Sequence, residues 1–466
     1  MDVIPDLGSH VVPDVGSPSD PWDPDAVQIG WAKVDITPAL DPPVQMRGRY
    51  NGDPIFASGV MDPITATAMA IESPLHPDES VVLVSADLIR IPDGVRNPDI
   101  DLVGAVRERV AAKHPGFPTD RIVLMATHTH VAPYIGTDVV PFYADRMAEA
   151  VIEAWDGRGP SAVSYGLGHA VAGHNRIVSH HDGSAHMIGS AQGGTASAEE
   201  FSHMEGFEDH SVHLLYTFDA SQQLTGVVVN ITCPAQVQRG RELTDKDGND
   251  YFFIEISADF WHEVRTELEA RLGHPIQLLP QVSASGEVAT TAVIENAAEE
   301  RMARLRYPEL KNEDEAAQDW RVLRRKQIAH RIVETILDVR PYMDGVMEQT
   351  PRLGHVVQTV PFSHGCPDPD GTTYDVELHG IRVSDVAMIT NPFELYLDYG
   401  SRIKGRSPAI QTFVVELAGS ATYLPTRRAV AGGGYGSRPT ECVVGPDGGD
   451  ELVSASLSIL ESLWTE

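Results

Sequence analysis

Two histidines one residue apart, His128 and His130, close an apolar run made of Ile122, Val123, Leu124, Met125 and Ala126. Imidazole is both a metal ligand and a proton carrier near neutral pH, so one ring of such a pair can hold an ion while its neighbour handles substrate. The run itself reads as a buried strand, and side chains two apart on a strand share a face. If the extended backbone continues past Ala126, both rings enter one space at the strand's carboxyl end, where open α/β sheets keep their ligands. The plainer reading stays open on spacing alone: paired histidines often do no more than bond neighbouring loops.

The elements that would position this pair are legible as alternating patterns. Apolar strand-like runs occur at 81–87, 122–126, 212–217, 226–232, 276–282, 376–383, 386–390 and 412–417. Helix-period segments lie at 99–113, 141–155, 258–272 and 313–339, the last with Trp320, Leu323, Ile328, Ile332 and Ile336 near one face. Strands interleaved with helices predict an α/β fold, layered mixed β-sheets flanked by helices. Residues 1–26, rich in Pro, Asp, Gly and Ser, read as a flexible leader, with organised sequence from 27 onward. Connections are expected at 180–205, 239–250 and 366–373. The first carries His180, His181, His186 and His203 and is either a lid or a solvated loop.

With 466 residues, 42% of them hydrophobic, the chain can bury a large core. Its formal charge of −32, from 67 acidic and 35 basic residues, disfavours nucleic acid or an anionic membrane as partner and reads as a solvated acidic surface. Three cysteines, Cys233, Cys366 and Cys442, leave at least one thiol unpaired and suit a reducing compartment. Neither a secretory signal nor an apolar run of about 20 residues is visible. The expectation is a soluble cytoplasmic protein acting on a small molecule. The chain lacks a Gly-x-Ser-x-Gly elbow, a dinucleotide fingerprint, a phosphate loop, a His-Glu-x-x-His pair and a Cys-x-x-Cys. Any metal site must be assembled from distant segments.

Several segments form an ordered series: Gly30-Trp-Ala-Lys-Val-Asp-Ile-Thr-Pro38, the 81–87 run, Ala126-Thr-His128-Thr-His130 with Pro133, and Asn175-Arg176. The 228–234 run, Ser257-Ala-Asp259, Asn391-Pro-Phe-Glu394, Tyr423-Leu-Pro-Thr426 and Tyr435 complete it. Read in order, these segments resemble the catalytic domain of the neutral/alkaline (non-lysosomal) ceramidases. The resemblance implies one ceramidase-like catalytic domain over 27–466, without the family's carboxyl-terminal β-sandwich. It also implies a Zn2+ ion held by two histidines, a glutamate and a tyrosine, which activates water to cleave an amide. Carried over by position, His128, Glu394 and Tyr423 become metal ligands. His130 and Tyr435 become the catalytic residues that stabilise the oxyanion, and Arg176 a clamp on substrate.

Two departures qualify the likeness. Where the family has a histidine ending a buried strand, this chain has Cys233, itself a good zinc ligand, so a Cys-for-His exchange in the metal set is expected; the alternative is a small buried hydrophobe. Glu287, in place of a family aspartate, and His262, in the first turns of a helix, are expected to bind substrate. The implied activity is hydrolysis of an amide in a small or polar substrate. Ester, lactone or glycosidic cleavage in the same pocket, using carboxylates among Asp62, Asp87, Asp259, Glu287 and Glu394, is the alternative. A non-catalytic binding protein is the third reading.

Overall fold

The computed structural model describes residues 22–46, 54–188, 199–244, 248, 250–308 and 320–465. Most of the expected leader and residues 313–319 of the expected long helix lie outside the described residues.

Strand β1 (Gln28–Asp35) begins where the sequence places the first organised residues. It pairs with β2 (Thr65–Ser73), which pairs with β3 (His76–Ala86); β3 then runs parallel to β4 (Ile122–Ala126). On the other side of β1 come β5 (Gly159–His169), β6 (Ser211–Asp219), β7 (Leu224–Ile231) and β8 (Gln277–Val282), the last two parallel. The sheet order is β8-β7-β6-β5-β1-β2-β3-β4. A second sheet uses β9 (Leu353–Ser363), β10 (Thr373–Val383), β11 (Val386–Thr390) and, beyond the two-residue strand β12 (Glu394–Leu395), β13 (Gln411–Val415). Its order is β9-β10-β11-β13, and β12 pairs separately with β14 (Tyr423–Leu424).

Period-two alternation sorts the side chains into layers. Val81, Leu83, Val123, Met125 and Val228 face inward and pack on Val386, Met388, Phe413 and Val415 of the second sheet. Val82, Val84, Ile122 and Leu124 face outward, under helices α1 (Leu102–Lys113) and α2 (Val140–Asp156). The other half of the same outer face, including Val227, Val229 and Ile231, lies under α3 (Phe260–Leu272) and α5 (Trp320–Met343), with α4 (Asn296–Arg306) beside α5. Beyond the second sheet, Ala387, Ile389 and Val414 meet α6 (Leu397–Lys404) and, past α7 (Arg427–Gly432), α8 (Pro446–Ser462). The result is helix, sheet, sheet, helix, which agrees with the α/β architecture read from the sequence. Each fully buried Val or Leu in these layers contributes about 1.5–3 kcal/mol relative to exposure. Gly30 shows how tightly the layers close: a Cβ there would sit 1.9 Å from Ala154 O on α2.

Two connections differ from expectation. The 180–205 segment contains strands Ala185–Met187 and Phe201–Met204, which flank Ile177–His180 in a small sheet, and the 239–250 segment runs into a hairpin of Arg241–Thr244 with Asp250–Phe253. Cys366 and Cys442 form a disulfide, with Cα atoms 5.9 Å apart, a pairing that the reading of reduced thiols did not anticipate. Among the described residues no helix is long and apolar enough to cross a membrane.

Candidate active site

The parallel pair β3/β4 ends at Ala86 and Ala126, and Thr127 N–H still reaches Ala86 O at 3.0 Å. There the extended backbone stops. His128 has φ 65°, a left-handed conformation uncommon for a residue with a side chain. A kink, not strand alternation, brings the two rings together: their centroids lie 4.8 Å apart, edge to face at 74°. Conformations of this kind cost about 1–3 kcal/mol and persist where the surroundings over-determine them. Here they do. His130 N–H donates to Ala235 O (3.2 Å), Ala235 N–H to Thr127 O (3.1 Å) and Thr129 Oγ1 to Ser257 O (2.8 Å). Below the kink, fully buried Asp87 takes two bonds from Arg265 (2.8 and 3.1 Å) and one from Thr127 Oγ1 (3.3 Å).

The Nδ1 of His128 lies 2.8 Å from Ile89 O. A carbonyl only accepts, so Nδ1 carries a proton, and Nε2 is the ring nitrogen left to bind an ion through its lone pair. Facing it is Glu394, with Oε2 at 3.6 Å from Nε2. Glu394 arrives from the second sheet. After β11, the Asn391 amide oxygen accepts Phe393 N–H (3.1 Å) and its amide nitrogen donates to Val415 O (3.2 Å), turning the chain into β12. In the parallel pair β12/β14, Glu394 stands opposite Tyr423, so both project to the same side. Gly286 permits the approach, since a Cβ there would lie 2.5 Å from Glu394 O. Arg176 Nη2 donates to the Tyr423 hydroxyl (3.2 Å) and to Gly286 O (3.3 Å), and Tyr435 packs edge-on against Tyr423 at 5.9 Å between centroids. His128, His130, Glu394, Tyr423, Tyr435 and Arg176 thus share one rim, delivered by both sheets.

Neutral ceramidase from Pseudomonas aeruginosa matches this chain with a TM-score of 0.70 at 16% identity, over 95% of this chain and 75% of that one. The fold is that of the neutral ceramidases. A second solved structure, a ceramidase complexed with C2, matches at a TM-score of 0.69 and 15% identity, over 94% and 75% of the two chains. No protein-family model and no curated protein matches the sequence.

On this ceramidase fold, three expected residues take other places. Cys233 is fully buried in the layer under α3 and α5, its Sγ 3.8 Å from Pro234 O, and burial pushes the thiol up, away from the thiolate form. No set of three His, Cys, Asp or Glu donors within 4.8 Å unites it with His128 and Glu394 among the described residues. Cys233, expected as a metal ligand in the cysteine-for-histidine exchange, stands in that apolar layer. Parity explains it: Cys233 continues the outward series Val227, Val229, Ile231. Glu287 is buried and bonded to the backbone. Both its oxygens accept Leu397 N–H at 3.0 Å at the start of α6, and burial pushes its carboxyl up to about 8. His262, on the first turn of α3, is held below its ordinary value by burial, in the field of Asp62, Arg325, Arg265 and Asp87.

The remaining candidate carboxylates are engaged internally. Asp62 binds Arg325 Nη2, Ser257 Oγ and Ala258 N, each at 2.7 Å. Asp259 accepts from Gln238 N (2.7 Å) and Phe260 N (2.6 Å) and begins α3. Among the described residues, one group of three His, Cys, Asp or Glu donors stands within 4.8 Å of one another: Glu267 on α3 with His330 and Glu334 on α5, all partly exposed. Arg271 Nη1 already pairs with Glu334 at 2.5 Å and His330 Nδ1 with Glu267 at 2.8 Å. Sequence reasoning missed three arginines, Arg239, Arg321 and Arg324, that line a cavity of about 460 Å³ beside Arg176. In the sequence the last two look like ordinary flanking charge on the α5 helix.

Proposed function

We propose that this chain is a hydrolase that cleaves the C–N bond of an amide in a small or polar substrate, with His128, Glu394 and Tyr423 holding a divalent ion, zinc by the nature of the donors. The observation that carries this reading is the 3.6 Å separation of His128 Nε2 and Glu394 Oε2, with the His128 tautomer set by Ile89 O. Two donors each about 2.0–2.2 Å from a tetrahedral zinc lie roughly 3.3–3.6 Å apart, so the pair fits. Three protein donors leave one position open, the arrangement of catalytic rather than structural sites. When bound, such an ion supplies Lewis acidity and lowers the pKa of water near it.

The chain's own residues do the rest. Arg176 fixes the direction of the Tyr423 phenol and puts positive charge beside its oxygen, the atom that would hold the ion. His130, edge-on to His128, takes the proton that water gives up and returns it to the departing nitrogen. Tyr435 donates its hydroxyl to the carbonyl oxygen as that oxygen gains charge. In balance, the water oxygen and one hydrogen join the acyl carbon, the other hydrogen joins nitrogen, and the C–N bond breaks to give a carboxylic acid and an amine. Amide cleavage is also what the name of both structural neighbours denotes.

A glycosidase-like carboxylate pair is disfavoured, because Asp62, Asp87, Asp259 and Glu287 are each engaged within the protein. The test is zinc content and hydrolysis of an N-acyl amide panel by wild type, His128→Ala and Glu394→Gln. Both variants are expected to lose the metal and at least ~10²-fold in turnover; undiminished zinc in both would overturn the reading.

A further inference from the structure

We infer that the cavity beside Tyr423 is a subsite for an anionic group on the substrate, a carboxylate, phosphate or sulfonate, held by Arg176, Arg239, Arg321 and Arg324. The inference rests on the hydrolase reading for its link to a substrate, but the anion site stands on its own geometry. The whole chain carries 67 acidic residues against 35 basic ones, yet the described lining of this cavity contains four arginines and neither Asp nor Glu. Gln236 and Asn296 add amide groups to the wall. An acidic protein that concentrates guanidinium groups in one concave place raises the local concentration of anions there against its own net charge.

Arg324 is the second, independent observation. Only 2% exposed, it makes no hydrogen bond through Nε, Nη1 or Nη2 among the described residues. Its ion pair with Glu299 is long, 3.6 Å, and that carboxylate is already claimed by Arg331 at 3.0 Å and Gln327 at 3.3 Å. Buried guanidinium donors ordinarily find acceptors, and bidentate carboxylate or phosphate is the acceptor that their planar fork fits. Arg176 repeats the pattern, with Nε unbonded while Nη2 reaches Gly286 O and the Tyr423 hydroxyl. Through that last bond the cavity adjoins the rim. A substrate whose acid group enters the cavity therefore lays its amide toward Glu394 and His128. Arg321 Nη1 donates to Arg239 O at 3.1 Å, which ties the α5 side of the cavity to the 239 segment.

The experiment uses the full chain and inorganic phosphate as probe, by isothermal titration calorimetry at low ionic strength. Wild type and Glu394→Gln should bind phosphate alike, because this site does not depend on the rim. Arg324→Gln and Arg239→Gln should each weaken it by about 10-fold, the value of one charged hydrogen bond. Arg239, at the open side of the cavity, keeps the test valid should Arg324→Gln fail to fold. In parallel, N-acyl amides bearing a carboxylate should exceed their neutral methyl esters in amide kcat/KM, and Arg239→Gln should shrink that gap. Absence of phosphate binding, binding lost only in Glu394→Gln, or equal cleavage of acid and ester would overturn the inference. Phosphate binding that the arginine variants abolish, with no amide cleaved by wild type, would keep the anion site and remove the hydrolase reading.

Discussion

Among the described residues, two regions that bring metal-binding donor types together differ in how those donors are held. At Glu267, His330 and Glu334 the groups lie on adjacent helices, partly solvated, with Arg271 pairing both carboxylates. At the rim, His128 Nε2 and Glu394 Oε2 come from two different sheets, and neither side chain has more than 10% of its surface exposed. The first arrangement arises freely wherever amphipathic helices pack, and exposed pairs of this kind stabilise by about 0–1 kcal/mol. The second requires a left-handed residue, a fixed imidazole tautomer and a glycine under Glu394. Proximity of donors is cheap; burial combined with a set orientation marks a site.

Variants can break or sharpen this contrast. The largest effect is expected at His130→Ala, where loss of the proton carrier should lower kcat by about 10²–10⁴-fold while leaving zinc content intact. Tyr435→Phe should follow at about 10²–10³-fold if its hydroxyl meets the developing oxyanion. Retained zinc with retained activity in either variant would remove that residue from the chemistry. Support beneath the rim is tested by Arg265→Met. It leaves Asp87 buried and unpaired, a loss of about 3–5 kcal/mol by chemical denaturation; a change under 1 kcal/mol would mean the pair does not hold the kink.

Glu287 gives a pH signature. Its carboxyl is pushed from an ordinary 4.5 up to about 8 by burial. The folded state thus keeps a proton that the unfolded chain releases above 4.5, and wild-type stability falls as pH rises from there toward 8. The thermal midpoint of Glu287→Gln relative to wild type should climb across that window; parallel curves would contradict the assignment. The smallest effect is expected at the surface cluster, where Glu267→Gln with His330→Ala should change neither zinc content nor activity.

Much of this was readable from the sequence, for identifiable reasons. The runs that became β4 and β11 are short, apolar and β-branched, and they end where the patterns end. The histidine pair and Glu394 were legible as residues at strand ends. Strand β2 was not, because Ala and Thr dominate it, and α8 was hidden by Gly448 and Gly449 in its first turn. The layer that Cys233 joins was not legible, because β7 is buried on both faces, so apolarity alone cannot say which side looks toward the rim. The arginine cavity was invisible for a different reason. Its members stand at 176, 239, 321 and 324, and only the tertiary fold collects them.

The most direct test of the central claim is anomalous diffraction at the zinc edge from crystals of the full chain grown with zinc. The account predicts one strong peak between His128 Nε2 and Glu394 Oε2, about 2.0–2.2 Å from each. A peak at Glu267, His330 and Glu334, or on Cys233 Sγ, with nothing at the rim, would contradict it.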